Sequence, residues 1–138
     1  MNEQLSLRLE NRLPELDRLR SEVESFLERC GVGGRESYHI QLALDELVTN
    51  VVCYAYEEQG GGEIMLEMER LPGQVDMTLT DGGKPFNPLE APEPDVTAPA
   101  EKRRIGGLGI HFVRKTMDSV RYERQNGRNI LHIRKMTP

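Results

Sequence analysis

Glu46 and Asn50 stand four residues apart in a stretch of helical periodicity, Asp81 ends a run of alternating apolar and polar residues, and Gly106-Gly107-Leu108-Gly109 opens a second helical stretch. At about 100° per residue, Glu46 and Asn50 lie roughly 40° apart along the border of the apolar stripe, so they can share one site. A carboxylate there can orient or deprotonate a hydroxyl, and a neutral amide oxygen can bind Mg²⁺ without demanding a counter-charge. The same count puts Asp45 and Thr49 on the far, solvated side of the helix. Counting by twos from Val75 through Met77 and Leu79 reaches Asp81, so its carboxylate leaves the strand on the apolar side and needs a partner. A nucleotide base offering an N–H is one such partner, and Gly82-Gly83 leave room for a flat ring beside the backbone. Glycines before a helix N-terminus are where free amides and the helix dipole can hold a phosphate. Lys102, Arg103 and Arg104 lie just upstream and can reach phosphate oxygens.

Each signal has an ordinary reading when taken singly. Asp before two glycines starts many turns, a polar pair often borders an amphipathic stripe, and glycine clusters often serve only packing. No Gly-Lys-Ser/Thr follows the glycines, so this is not a Walker-type loop. His39, His111 and His132 are scattered without ligand spacing and read as surface or packing residues. Cys30 and Cys53 lack metal or disulfide spacing and read as buried free thiols.

Composition narrows the classes further. The 138 residues, 37% hydrophobic and 30% charged, suit one domain over 1–138. A net charge of −5 offers no broad basic field for nucleic acid. The few aromatic residues are not interleaved with basic ones, which removes support for base stacking. No apolar run approaches the roughly 20 residues of a membrane span, and the N-terminus is polar, so a cytoplasmic location is expected.

The elements that must position these residues follow from periodicity. Leu5, Leu7 and Leu9 alternate as in a half-buried strand. After Asn11, read as a cap, Pro14 suits the first turn of a helix that carries Leu16, Leu19, Val23, Phe26, Leu27 and Cys30 and stops at Gly31. A second helix is expected from about Arg35 to Glu57, ending at Gly60-Gly61-Gly62. Two strands around Leu71-Pro72-Gly73-Gln74 form a hairpin. Residues 85–104 hold five of the eight prolines and no period, which predicts a long exposed loop, a lid spanning about 84–105. A helix over Leu108 to Met117 and a hairpin around Asn126-Gly127 complete the chain. This order predicts an α+β two-layer sandwich, a mostly antiparallel sheet covered on one face by helices.

Together, Glu46…Asn50, Asp81-Gly82-Gly83 and Gly107-Leu108-Gly109, in this order and at these separations, resemble the N, G1 and G2 boxes of the Bergerat-type, histidine-kinase-like ATPase fold. Within that superfamily, the run Ala43 to Asn50 and the ending Gly107 to Arg114 are similar to the anti-sigma-factor serine/threonine kinases. The likeness covers nearly the whole chain. It implies ATP and Mg²⁺ as cofactors, Glu46 as the base toward a protein hydroxyl, and Asn50 as the metal ligand. It further implies Asp81 as acceptor of the adenine amine, with Gly83, Lys84, Arg104, Gly106, Gly107, Leu108 and Gly109 completing the nucleotide site. The implied partners are an anti-anti-sigma protein as substrate and a sigma factor that is sequestered, with a homodimer compatible and no nucleic acid or membrane. The alternative is a nucleotide-gated binding module without significant phosphotransfer. Two departures from the family pattern stand out: Pro85 removes an amide donor at the start of the lid, and Tyr54 occupies a position where relatives often carry histidine.

Overall fold

A computed structural model of the chain describes residues 2–90 and 107–138. Five strands form one wholly antiparallel sheet in the order β1-β2-β3-β5-β4, built from β1 (Gln4–Glu10), β2 (Glu63–Leu71), β3 (Gln74–Asp81), β4 (Ser119–Gln125) and β5 (Arg128–Met136). The period-2 pattern sets the faces. Ile64, Leu66 and Met68 of β2, Val75, Met77 and Leu79 of β3, and Leu131 and Ile133 of β5 all point to one side and are buried. Three helices cover that side: α1 (Glu15–Arg29), α2 (Gly34–Asn50) and α3 (Gly107–Thr116). They contribute Leu19, Val23, Phe26 and Leu27, then Ile40, Ala43, Leu44, Leu47 and Val48, then Ile110 and Val113. The α+β two-layer architecture is therefore as expected.

The turns obey their local chemistry. Gly73, at φ +72°, closes the β2–β3 hairpin, and Asn126 and Gly127, at φ +53° and +75°, close β4–β5 with the paired left-handed residues of a type I′ turn. Helix α1 ends on Gly31, where the Val32 N–H reaches back to the Leu27 carbonyl and the left-handed residue stops propagation. The uncovered face of the sheet is polar. Arg134 pairs with Asp76 at 2.9 Å, His132 with Glu123 at 2.8 Å and Arg8 with Glu63 at 2.7 Å, all partly solvated.

Several expectations require correction. The second helix is α-helical only to Asn50. It continues as a π-helical turn, Val51–Ala55, and the chain is extended by Tyr56. Asn11 caps nothing. It is fully buried, and its side chain accepts the Gly62 N–H at 2.8 Å and donates to the Glu58 carbonyl at 3.0 Å, fastening the glycine-rich loop to β1. Cys30 is half-buried and Cys53 exposed, so neither thiol is buried. Asp45 lies on the partly solvated side but is not free there, since it takes the Arg20 Nε–H of α1 at 2.8 Å. Beyond Pro85 the segment opens with a short 3₁₀ turn, Pro88–Glu90; the remainder of the expected lid lies outside the described residues.

Candidate functional site

The buried row of β3 does not end on an apolar residue. In register, Asp81 of β3 sits opposite Asn129 of β5, so the apolar carpet of the sheet finishes in two facing polar side chains, 4% and 3% exposed. The Asp81 carboxylate accepts two hydrogen bonds on Oδ1, from the Gly83 N–H at 2.9 Å and from Asn129 Nδ2 at 2.9 Å. Oδ2 takes none among the described residues, so one oxygen is structural and the other is available. Burial pushes the Asp81 carboxyl above the usual aspartate range, opposed by the Asn129 bond, the Gly83 amide and the nearby Arg124 guanidinium.

Helix α2 supplies the second part. Asn50 Nδ2 donates to Glu46 Oε1 at 2.9 Å across one turn, and the amide oxygen of Asn50 takes no hydrogen bond among the described residues. Asn50 is 4% exposed. Burial raises the Glu46 carboxyl above the ordinary glutamate range, and the Asn50 amide opposes that rise. A half-buried carboxylate of raised pKa is a stronger proton acceptor than one in water.

Helix α3 supplies the third. A methyl group on Gly109 would overlap the Glu46 carboxylate, so the first turn of α3 lies directly against the acidic end of α2. This contact brings together two segments more than sixty residues apart in sequence. Gly107 opens the helix, so its N-terminal turn, the kind of terminus that can hold a phosphate, lies beside this region.

The loop after Asp81 is held by backbone groups. The Lys84 N–H donates to the Ala55 carbonyl at 2.8 Å, and a Cβ on Gly83 would overlap that same carbonyl. The π-helical turn thus leaves a carbonyl that the loop uses, and only glycine fits beside it. The Tyr56 hydroxyl accepts the Gly82 N–H and donates to the Glu63 carbonyl, both at 3.0 Å. The Lys84 side chain is exposed, and Tyr54 packs its ring 5.8 Å from that of Phe86.

Of the expected site residues, Glu46, Asn50 and Gly109 come together, and Asp81 and Gly83 form one turn with Lys84 beside them. Gly107 and Leu108 lie in the first turn of α3; Arg104 and Gly106 lie outside the described residues. Sequence reasoning missed Asn129, Tyr56 and Arg124. Arg124 Nη1 donates to the Gly83 carbonyl at 2.9 Å and so supports the turn from β4. Asn129 had a usable signal: counting by twos back from Ile133 through Leu131 reaches it, as the same count on β3 reaches Asp81.

Among the described residues no group of three or more His, Cys, Asp or Glu can cage a metal ion. A lone amide oxygen fits Mg²⁺ when substrate phosphates and water supply the other ligands, which is how that ion is commonly held. The set also fits a nucleotide, with a free carboxylate oxygen at one end and a helix N-terminus near the other.

Residues 9–135 match the profile of the histidine kinase-like ATPase domain. The chain is 26% identical over 136 residues to the serine-protein kinase RsbW of Listeria monocytogenes, covering 95% of this chain and 86% of that protein. It is 26% identical over 109 residues to the serine/threonine-protein kinase BtrW of Bordetella bronchiseptica, covering 79% and 77%. The fold superposes on the RsbU and RsbW domains of Rv1364c from Mycobacterium tuberculosis with a TM-score of 0.70 at 16% identity, over 97% of this chain and 32% of that one. It also superposes on the blue-light activated histidine kinase EL346 of Erythrobacter litoralis with a TM-score of 0.54 at 17% identity, over 90% of this chain and 41% of that one. These two likenesses concern the fold, and this chain spans less than half of either neighbour.

Proposed function

Because the chain belongs to the histidine kinase-like ATPase domain family, we propose that it is an ATP-dependent serine/threonine protein kinase of the anti-sigma type. Its substrate is an anti-anti-sigma protein, and in the absence of that partner it sequesters a sigma factor. The observation that carries the reading is the seating of the Glu46 carboxylate against Gly109, with Asn50 hydrogen-bonded to the same carboxylate. That contact unites an acid suited to proton transfer with a helix terminus suited to phosphate. The names of the RsbW and BtrW relatives support protein phosphorylation.

In this reading the chain's own groups divide the work. Asp81 Oδ2 accepts from the exocyclic amine of the base, while Oδ1 stays committed to Gly83 and Asn129. Asn50 presents its amide oxygen to Mg²⁺, and Lys84, Arg104 and the amides from Gly106 to Gly109 serve the phosphate side together with Gly83 at the turn. Bound Mg²⁺ supplies charge neutralisation at the phosphates. Glu46 aligns the attacking hydroxyl of the substrate protein and accepts its proton, a role its raised pKa favours. The location is cytoplasmic, and no nucleic acid or membrane takes part; no helix among the described residues is long and apolar enough to cross a membrane. Two copies can pair as a homodimer.

Pro85 favours a second reading, a nucleotide-gated binding module, because it removes one backbone donor from the segment that leads away from the base. A single-turnover assay with Mg·ATP and a purified anti-anti-sigma protein separates the two. The kinase reading expects Glu46→Gln to slow transfer by about 10²–10⁴-fold while nucleotide binding is kept. Unimpaired transfer by that variant overturns the base role, and ATP binding without any transfer by the unaltered chain establishes the module.

A further inference from the structure

Asn129 spends every hydrogen-bonding position of its amide. Nδ2 donates to Asp81 Oδ1 at 2.9 Å and to the Lys84 carbonyl at 2.8 Å. Oδ1 accepts from the Phe86 N–H at 3.1 Å, the Tyr122 hydroxyl at 2.6 Å and Arg124 Nη1 at 3.1 Å. Lys84 and Phe86 flank Pro85, which has no N–H to offer. One side chain therefore serves both backbone groups around the proline, as a neighbouring strand would. The same side chain fixes which oxygen of Asp81 is left over.

Buried amides with all partners in place are rigid, and removing one partner strands the others. Tyr122 and Arg124 of β4 hold Oδ1 from behind, so the amide cannot flip without losing three donors at once. A carboxylate rotation at Asp81 and a movement at the root of the proline-rich segment must both pass through this one group.

We infer that Asn129 is a positioning residue that aims Asp81 at the nucleotide base and ties that carboxylate to the start of the proline-rich segment at 84–86, so that base recognition and the conformation of the segment's root are coupled. This inference rests on the ATP-binding reading. Asn129 itself need not touch the nucleotide, since it acts through Asp81 and through the Lys84 and Phe86 backbone.

The test is isothermal calorimetry of the full chain with Mg·ATP and Mg·GTP, for the unaltered protein and for Asn129→Asp, at about pH 8 and about pH 5. The charged and titratable groups facing this position are Asp81 of β3, Arg124 and Tyr122 of β4, and Tyr56 beyond the π-helical turn. At the higher pH the introduced carboxylate faces Asp81 with no hydrogen to donate, and two like charges in contact disfavour each other. ATP affinity is expected to fall about tenfold or more relative to the unaltered chain, with the ATP-to-GTP preference compressed. At the lower pH the introduced carboxyl takes a proton, donates it to Asp81 Oδ1 and recovers most of the affinity ratio.

A merely structural asparagine gives a loss that is the same at both pH values and for both nucleotides, and that result overturns the inference, as does no loss at all. Tyr122→Phe removes one donor to Oδ1 and guards against misfolding of the first variant. It is expected to cost about two- to tenfold in ATP affinity and to speed hydrogen exchange at the Phe86 amide; exchange unchanged at Phe86 overturns the coupling. Failure of the unaltered chain to bind ATP overturns the functional reading and the inference together, whereas ATP binding with insensitive variants overturns the inference alone.

Discussion

Burying the Asp81 carboxylate costs the fold stability. Its carboxyl is raised by burial, so the folded protein holds that proton more tightly than the unfolded chain does. The folded state therefore binds more protons across the interval from the ordinary aspartate range up to the raised value, and stability falls as pH rises through it. Glu46, also raised by burial, adds to the same trend. Asp81→Asn removes the charge and keeps a carbonyl oxygen for Gly83 and Asn129, but it turns an N–H toward the base. Urea unfolding at a series of pH values is expected to show a shallower decline for the variant and a midpoint at or above that of the parent at neutral pH. Its ATP affinity is expected to drop roughly 10- to 100-fold, because a donor would then face the donor of the exocyclic amine. A variant that is less stable at neutral pH and still binds ATP well contradicts this account of the carboxylate.

Elements meet at this site through glycines, and the two decisive ones press against different kinds of atom. At Gly83 a Cβ would strike the Ala55 backbone carbonyl, which the π-helical turn and the Lys84 N–H hold in place. At Gly109 it would strike the carboxylate end of a side chain that can rotate away. Gly83→Ala is thus expected to cost roughly 1–3 kcal/mol of stability, read by chemical denaturation. Gly109→Ala is expected to leave stability nearly unchanged and to suppress phosphotransfer by displacing Glu46; equal stability losses in the two variants would refute the distinction. The alternation that marks β2, β3 and β5 and the stripe of α2 carried the sandwich and the facing of Asp81 in plain view. The π-helical turn was not legible, because Val51, Val52 and Ala55 are apolar in any helical winding and only tertiary contact selects the wider one. Asn11 was misassigned for a related reason: a cap is a local inference, and its partner Gly62 is distant in sequence, as is the Arg20 that pairs with Asp45. Asn129 was within reach of the same parity count that found Asp81, but its five partners belong to β3, β4 and the loop beyond Asp81, which no local pattern reports.

At the scale of the molecule the site gathers the ends of elements that pack into one core. Helix α2 carries Glu46 and Asn50, β3 ends in Asp81, α3 begins at Gly107, and the β4–β5 hairpin braces the turn through Arg124 and Asn129. A ligand that contacts all of these is bound by the folded chain and not by the unfolded one, so its binding free energy is added to the stability of the whole. At free Mg·ATP about 100 times Kd the gain is about 2.7 kcal/mol, which for a chain of this size corresponds to a rise in Tm of roughly 8–13 °C. The variants divide the prediction by element. Glu46→Gln, altered only in the proposed base, is expected to keep the shift, and Asp81→Asn to lose most of it. Asn50→Ala is expected to lose the part that depends on Mg²⁺, so that its shifts with and without the metal converge. Differential scanning calorimetry at several nucleotide concentrations checks all three at once. A Tm that does not move with Mg·ATP in the unaltered chain would mean that α2, β3 and α3 are not spanned by one nucleotide.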